Sequence, residues 1–383
     1  MKMPETICAK CIYDSSIAGI SFDTDGVCNY CRQVEKLASE YGTGQKLGEE
    51  SWVKILAEIK RDGRNKTYDC VVGVSGGTDS SYLLMKACDW GLRPLAVHYD
   101  NTWNSAVATE NIRKVTSALK LDLYTHVVNN KEHDAIKLAY VKAGVQEFDT
   151  DTDLAFVQVL RKAAAKYGVR YILEGHSFVE EGISPVGNNY FDGGYIKDIC
   201  KRFGGISLET YPLMTFFQFL KWILIYRQKF IRPLWYLSYS KKSAQQELSE
   251  RTGWKNYAGH HLENRASAFA HSVWIPQRFN TDYRILTLAA KARNGGMSRE
   301  EALRQHKLPL NPDPELIGYV QKRLGLSNDE YCDLMKAKKR TWHDFKTYKK
   351  RFEKLRPLFY LLAKANLVPM SFYLKYCFPL KVK

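Results

Sequence analysis

Residues Cys70 to Ser81 read CVVGVSGGTDSS, an apolar run followed at once by two glycines, a carboxylate and hydroxyls. The run Cys70-Val71-Val72-Gly73-Val74 is short and β-branched, as a strand covered on both faces should be. Ser75-Gly76-Gly77 then removes side chains where backbone must approach a ligand. A helix beginning near Asp79 aims unpaired N–H groups and the positive end of its dipole into that loop, and the hydroxyls of Ser75, Ser80 and Ser81 add donors. The chemistry is that of an anion site. The alternative is a plain Gly-Gly turn capped by Asp79. The Lys-Ser/Thr ending of GxxxxGK[ST] is missing, so γ-phosphate hydrolysis is not what this loop suggests.

A second signal is the pair Cys8-x-x-Cys11 and Cys28-x-x-Cys31, with sixteen residues between them. Two such knuckles can supply four thiolates to one tetrahedral Zn²⁺, and an iron–sulfur cluster is the other metal that the residues allow. A ribbon of about 35 residues is too small to bury a core without the metal. The other five cysteines are scattered, which argues against a disulfide framework. No segment resembles a signal peptide, so the reading is cytoplasmic. A closed four-thiolate site leaves no position for substrate, so the metal is expected to be structural.

A third signal is the stretch His260 to Arg284, in which Glu263, Arg265, Arg278 and Arg284 stand among aromatics. Planar guanidinium forks suit phosphate or carboxylate, so this segment is expected to fold over the loop, with Arg265 near the reacting atoms and Arg278 and Arg284 on the phosphates. Ion pairing with Glu263 and Asp282 is the plainer alternative. His260 and His261 are adjacent and face different ways on a helix, which makes a poor metal pair.

The elements needed to position these groups follow from periodicity. Arg93 to Tyr99, Leu121 to Val128 and Arg170 to Glu174 read as strands, and Ser105 to Leu119, Lys131 to Lys142 and Asp153 to Tyr167 as helices. That alternation predicts an α/β fold with a doubly wound, mainly parallel sheet. Ligands gather beyond the carboxyl ends of such strands, which brings together the loops Ser75 to Asp79, Tyr99 to Asn104 and Glu174 to Ser177. Tyr99, Asp100 and Asn101 would then lie near a nucleoside, and Glu174, Gly175 and His176 of the third loop are candidates beside them, with ordinary loop polarity as the plainer alternative. The chain of 383 residues, 45% hydrophobic, divides into a zinc-ribbon-like module (1–45, ending in a Gly42 to Gln45 linker), the sheet domain (46–240), a helical region (241–330) and a basic aromatic tail (331–383). Ser51 to Ile59 begins a helix into the sheet domain. Leu213 to Tyr226 is apolar but shorter than the roughly 20 residues of a membrane span, so a buried or substrate-covering helix is expected.

The net charge is +16, and Lys336 to Arg356 carries ten basic against two acidic residues, interleaved with Trp342, Phe345, Tyr348 and Phe352. Such a stretch can bind RNA, lie peripherally on an anionic membrane face, or pack its aromatics on the domain. The apolar residues after it favour membrane-surface or partner contact over nucleic acid.

The loop SGGTDS resembles the SGGxDS loop of the PP-loop ATP pyrophosphatases. That resemblance implies that Ser75, Gly76, Gly77, Thr78, Asp79, Ser80 and Ser81 hold the pyrophosphate of ATP, that Asp79 assists Mg²⁺, and that the Gly-His step 175–176 lies beside ATP. The order CxxC, GIxFDxxGVCNYC, VGVSGGTDSSY, PLAVHYDNTWNS, YILEGHS, ENR and PxRFN is similar, from Cys8 to about Arg323, to the N-acetyl sugar amidotransferase family of surface-polysaccharide biosynthesis. The family implies conversion of an acetamido group on a UDP-linked sugar into an acetamidino group for lipopolysaccharide or O-antigen. It also implies ammonia from a separate glutaminase, encoded with a cyclase-like subunit as in imidazole glycerol phosphate synthase. This chain has no GxCxG motif and no cysteine at position 2, which fits an external ammonia source. The rival readings are a tRNA-thiolating enzyme of the PP-loop class and a zinc-ribbon adaptor that binds nucleotide without turnover.

Overall fold

The computed structural model describes residues 6–183, 185, 190–257, 264–365 and 367–379. His260, His261 and Glu263 lie outside the described residues. Strands β1 (Cys70–Gly73), β2 (Pro94–Asp100), β3 (Leu123–Val127), β4 (Tyr171–Leu173) and β5 (Lys229–Ile231) form one sheet of order β3-β2-β1-β4-β5. Every pairing is parallel, with Val71 opposite Leu95 on one side and Ile172 on the other. The chain winds outward from β1 through β2 to β3, then crosses back to β4 and β5. The reversal falls between β1 and β4, where a crevice opens at the carboxyl ends of the strands.

Side chains alternate across the sheet as the pleat requires. Val71, Leu95, Val97 and Ile172 enter one buried cluster, and Cys70, Val72, Val74, Ala96 and Leu173 the other. Both faces of the central strands β1, β2 and β4 are therefore covered, which is why those strands are largely apolar, whereas the edge strand β3 leaves Leu123 and Val127 exposed. The helices Ala106–Ala118 and Asn130–Ala143 form where periodicity puts them, capped by Ser105 and Asn129. Thr150–Lys166 starts three residues before the predicted Asp153. Strand β5 has no counterpart among the expected strands, since Lys229-Phe230-Ile231 is too short to display an alternation.

The amino-terminal ribbon is docked, not tethered. Its buried residues Ile12, Tyr13 and Tyr30 share a cluster with Ile285, Leu288 and Ala289 of the helix Arg284–Asn294. Arg299 Nε donates to the carbonyls of Cys8 and Cys11 at 2.9 and 3.1 Å. The expected linker is likewise fixed: Gly44 N donates to Tyr236 O at 3.0 Å, and the next helix begins at Lys46 rather than Ser51.

The carboxyl-terminal region is a set of short helices that buries its aromatics and leaves Lys346, Lys350, Arg351 and Lys354 exposed. Phe216, Phe352 and Phe359 are buried together, joining the helix Phe216–Leu224 to Lys349–Lys354 and Arg356–Lys364. Phe345 and Phe352 are thus unavailable to stack on a nucleic acid. The aromatics of the tail are packed on the domain. Lys349 is itself buried, its ammonium donating to the carbonyls of Lys375 and Tyr376 at 3.1 and 2.9 Å. Among the described residues no helix is long and apolar enough to cross a membrane.

Candidate active site

The loop after β1 is held from outside. Gly76 has φ 84°, and a Cβ there would lie 2.3 Å from Ala108 O, so only glycine allows this approach of two backbones. Gly76 O accepts from Trp254 Nε1 at 2.9 Å and Asn111 Nδ2 at 3.3 Å. Inside, Ser75 N donates to Ser80 Oγ at 3.2 Å, and Gly77 N to Ser75 Oγ at 3.3 Å. The helix Thr78–Asp89 starts at Gly77 with no side-chain cap. Asp79 is therefore not the N-cap residue of a plain turn, and the first turn keeps donors for an anion.

Asp79 lies in that first turn with both carboxylate oxygens engaged. Tyr239 Oη donates to one, and Lys241 Nζ donates to the other at 2.9 Å. Sequence reasoning missed both partners, although one cue was present. The helix Lys241–Thr252 opens on two lysines, against its own dipole, and a carboxylate facing the first of them removes the conflict.

The loop after β4 closes on the same point. An ideal Cβ on Gly175 would sit 2.7 Å from Asp79 O and 3.1 Å from Ser80 N, so the absence of a side chain lets this loop seat against the helix start. Glu174 accepts from Arg232 Nε at 2.8 Å, and His176 Nδ1 accepts from Trp235 Nε1 at 3.1 Å. Burial first, and the charge of Arg232 second, press the His176 pKa down to about 4, so the ring is neutral at pH 7 with its proton on Nε2.

The loop after β2 is stitched to the segment that follows residue 263. Asn101 Oδ1 accepts from Trp103 N at 3.0 Å and Asn264 Nδ2 at 2.8 Å, while Arg265 N donates to Trp103 O at 2.8 Å. Asp100 Oδ1 accepts from Thr102 N at 2.7 Å. The guanidinium of Arg265 lies 4.3 Å over the ring of Tyr319. Arg323, which the motifs did not single out, clamps this loop by donating to Thr102 O at 2.6 Å and to Asp134 at 3.0 Å.

Three expected ligand contacts are placed elsewhere. Tyr99 is buried, donating its hydroxyl to Tyr211, which in turn donates to Asp151; the side chain belongs to the core under the loop, not to a nucleoside pocket. Arg278 donates to the carbonyls of Leu334 and Ala337 and stacks on Trp274 at 4.6 Å. Arg284 pairs with Asp282 at 2.6 Å, as the plainer alternative held, and donates to Leu308 O at 2.7 Å. Arginine forks satisfy backbone carbonyls as readily as phosphates, and the sequence does not say which is near.

The four ribbon cysteines are buried, with their sulfurs all within 4.8 Å of one another. Cys8 to Cys31 and Cys11 to Cys28 are each 3.8 Å. A single tetrahedral ion with bonds of about 2.3 Å puts its sulfurs about 3.8 Å apart, so the set fits one metal ion. A cluster would interpose its own irons and sulfides and drive the thiolates further apart. Backbone N–H groups of Lys10, Cys11, Cys28 and Cys31 point at the sulfurs at 3.2 to 3.4 Å, as thiolates require.

Residues 263–356 match the family model described as LPS biosynthesis protein WbpG-like, C-terminal domain. The match runs past Arg323 through Lys336 to Arg356, which the sequence reading set apart as a tail. No curated protein matches the chain. Among solved structures, NMN synthetase from Francisella tularensis is 14% identical, covering 74% of this chain and 95% of its own, with a TM-score of 0.34. The NH3-dependent NAD synthetase from Campylobacter jejuni subsp. jejuni NCTC 11168 is 14% identical, covering 76% and 98%, with a TM-score of 0.32. The U34-tRNA thiolase NcsA from Methanococcus maripaludis is 10% identical, covering 88% and 100%, with a TM-score of 0.35. Likenesses this loose decide nothing about chemistry. Residues 263–356 thus carry a segment similar to the WbpG-like LPS biosynthesis model, and that segment is joined to a doubly wound parallel sheet with the SGGTDS loop at its switch point.

Proposed function

We propose that this chain is an ATP-dependent amidotransferase that adenylylates the acetamido group of a UDP-linked N-acetyl sugar and replaces its oxygen with ammonia, giving an acetamidino sugar for lipopolysaccharide. The observation that carries the reading is the junction of two signals at one crevice. The SGGTDS loop lies at the reversal of the sheet, and the WbpG-like segment is bonded to the neighbouring loop through Asn264 and Arg265.

An amide carbonyl is a poor electrophile toward ammonia, and its oxygen is a poor leaving group. In the proposed reaction the acetamido oxygen attacks the α-phosphorus of ATP, the bond to the β-phosphate oxygen breaks, and pyrophosphate departs into the loop at Ser75 to Ser81. The resulting O-adenylyl imidate accepts ammonia at carbon, and AMP leaves with the oxygen. Stabilisation of the departing charge by N–H groups dominates, because they are fixed before reaction. Mg²⁺, when bound, supplies charge neutralisation at the phosphates, and Asp79 is the carboxylate that would hold it. Lys241, now paired with Asp79, is within reach to follow the phosphates once metal takes its partner. Glu174 and His176 border the reacting end.

No protein nucleophile is required. Cys70 opens β1 and Cys88 closes the helix Thr78–Asp89, each at the end of its element away from the loop, which weighs against sulfur transfer to tRNA. Ammonia would come from a partner glutaminase, with a cyclase-like subunit between the two, in the cytoplasm. The four ribbon thiolates would hold Zn²⁺, with no catalytic part.

The test is incubation of UDP-linked diacetamido sugars with ATP, Mg²⁺ and ammonium. The expected product is lighter by the difference between O and NH, with pyrophosphate released in equal amount; ADP in place of AMP, or unchanged sugar, overturns the reading. Asp79→Asn is expected to cut pyrophosphate release by about 10²- to 10³-fold while leaving zinc bound, since the ribbon does not depend on it.

A further inference from the structure

Beyond Glu174 and His176, on the side of the edge strand β5, lies a cleft of about 1960 Å³. Its walls are drawn from distant parts of the chain: the ribbon helix Asn29–Tyr41, β5 itself, the helix Arg284–Asn294 of the WbpG-like segment and the last helix, Met370–Tyr376. Nine lysines and arginines line it against four glutamates. Glu174 and His176 form its inner end, and Gly175 between them seats on the backbone of Asp79 and Ser80. The cleft therefore shares the loop 174–176 with the start of the helix Thr78–Asp89.

Arg161, on the helix Thr150–Lys166, lines this cleft although it is only 5% exposed. Among the described residues no carboxylate pairs with it. Its Nη1 makes one long bond to the neutral amide of Gln228 at 3.4 Å, and its Nε has no acceptor. The rings of Phe230 and Phe219 lie 4.7 and 5.9 Å from the guanidinium carbon. Burial pushes its pKa down to about 10 against the nearby charge of Glu174, which leaves it charged at neutral pH. Arg232, on the same cleft, gives Nε to Glu174 and stacks on Trp235 at 4.9 Å, and among the described residues no hydrogen bond engages its terminal amino groups.

A buried guanidinium that keeps its charge needs an anion at contact; the rings and one neutral amide do not supply one, and Glu174, whose charge acts on Arg161, is bonded to Arg232 instead. We infer that Arg161 and Arg232 bind the diphosphate of a nucleoside-diphosphate-linked sugar in this cleft, so that the sugar is presented to the phosphate loop past Glu174 and His176. Two planar forks match two phosphates, and the lysine-rich walls draw the ligand in. The sugar in this inference rests on the amidotransferase reading; the anion site does not.

The experiment is calorimetric titration of the full chain with UDP, UDP-N-acetylglucosamine and glucuronate, without ATP, so that turnover plays no part. A failed amidation assay then leaves the site standing, and a failed titration leaves the amidation standing. Wild type is expected to bind UDP and the UDP-sugar with an affinity that falls as salt rises. Arg161→Met should weaken both by at least about tenfold while its ATP affinity stays unchanged, and Arg161→Lys should fall between. Equal UDP affinity in wild type and Arg161→Met, or no binding of UDP by wild type, overturns the proposal. Binding of glucuronate in place of UDP overturns the diphosphate assignment. Failure of Arg161→Met to fold would mark the guanidinium as structural and overturn it too.

Discussion

Lys137 and Arg161 are cations buried on consecutive helices, Asn130–Ala143 and Thr150–Lys166, and the fold treats them in opposite ways. Lys137 is fully enclosed, and its ammonium donates to Asp151 at 2.7 Å, Asp149 at 3.1 Å and the Phe148 carbonyl at 3.1 Å. Burial alone would press it toward neutrality, yet Asp151 and Asp149 outweigh that and hold its pKa above the ordinary value. Asp149 in turn accepts from Ser267, which anchors the short helix carrying Arg265 beside the β2 loop. Arg161 has two rings, a long bond to an amide and an open cleft. A completed network explains a buried charge as structure. An incomplete one on a cleft wall explains it as a site awaiting its ligand.

The largest effect that separates the two is on stability. Lys137→Met leaves Asp151 buried and Asp149 half-buried without the ammonium that pairs them, so a loss of about 3–5 kcal/mol in urea unfolding is expected. The β2 loop and Arg265 should loosen with it, because Asp149 no longer has a fixed place. A loss under about 1 kcal/mol would mean that water already reaches these carboxylates, and the contrast with Arg161 would fail.

A buried ionisable group has a third option, which is to discharge, and His176 at the inner end of the cleft takes it. Its folded pKa of about 4 lies below the unfolded value of 6.5, so the unfolded chain takes up the proton first as pH falls. The contribution of His176 to stability is therefore complete above pH 6.5 and is lost as pH drops toward 4. Between pH 7 and pH 5 the loss is about 1–2 kcal/mol. His176→Gln keeps an acceptor for Trp235 and removes the titration. The difference between wild type and variant in the pH dependence of the urea midpoint isolates this group from the other acids of the site, Asp79 and Glu174. A parallel pH dependence in both would show that the ring is solvated in the folded protein.

How legible these regions were follows from how local their causes are. The strand, the loop and the helix start at 70 to 81 are consecutive, so composition and spacing sufficed; the same holds for the four cysteines, whose knuckles are two short turns. Lys241 reaches Asp79 from far along the chain, and only its awkward place at a helix start betrayed it. Arg278 and Arg284 looked like phosphate ligands because a guanidinium has the same fork whether it meets phosphate or the carbonyls at 334, 337 and 308. Tyr99 was assigned by its position at a strand end, but alternation across the pleat turned it inward. In the sequence Arg161 is one cation on an ordinary amphipathic helix. Its distinction lies in what Phe219, Phe230 and Gln228 fail to provide, and they come together only when β5 and the helix Phe216–Leu224 pack over it.

The smallest effect is also the most discriminating. Substituting a buried, unpaired charge by an apolar side chain of similar length removes a desolvation cost and breaks no ion pair, so Arg161→Met should change stability by no more than about 1 kcal/mol, in either direction. Gln228 keeps its own bond to the Arg161 carbonyl at 2.8 Å, which the substitution does not touch. The variant then becomes a clean probe of ligand linkage. UDP at 100 times its dissociation constant should raise the unfolding free energy of wild type by about 2.7 kcal/mol and that of the variant by much less. A variant that loses about 3 kcal/mol or more without any ligand would instead mean that the guanidinium is held by the fold in the way Lys137 is, and the two cations would no longer differ in kind.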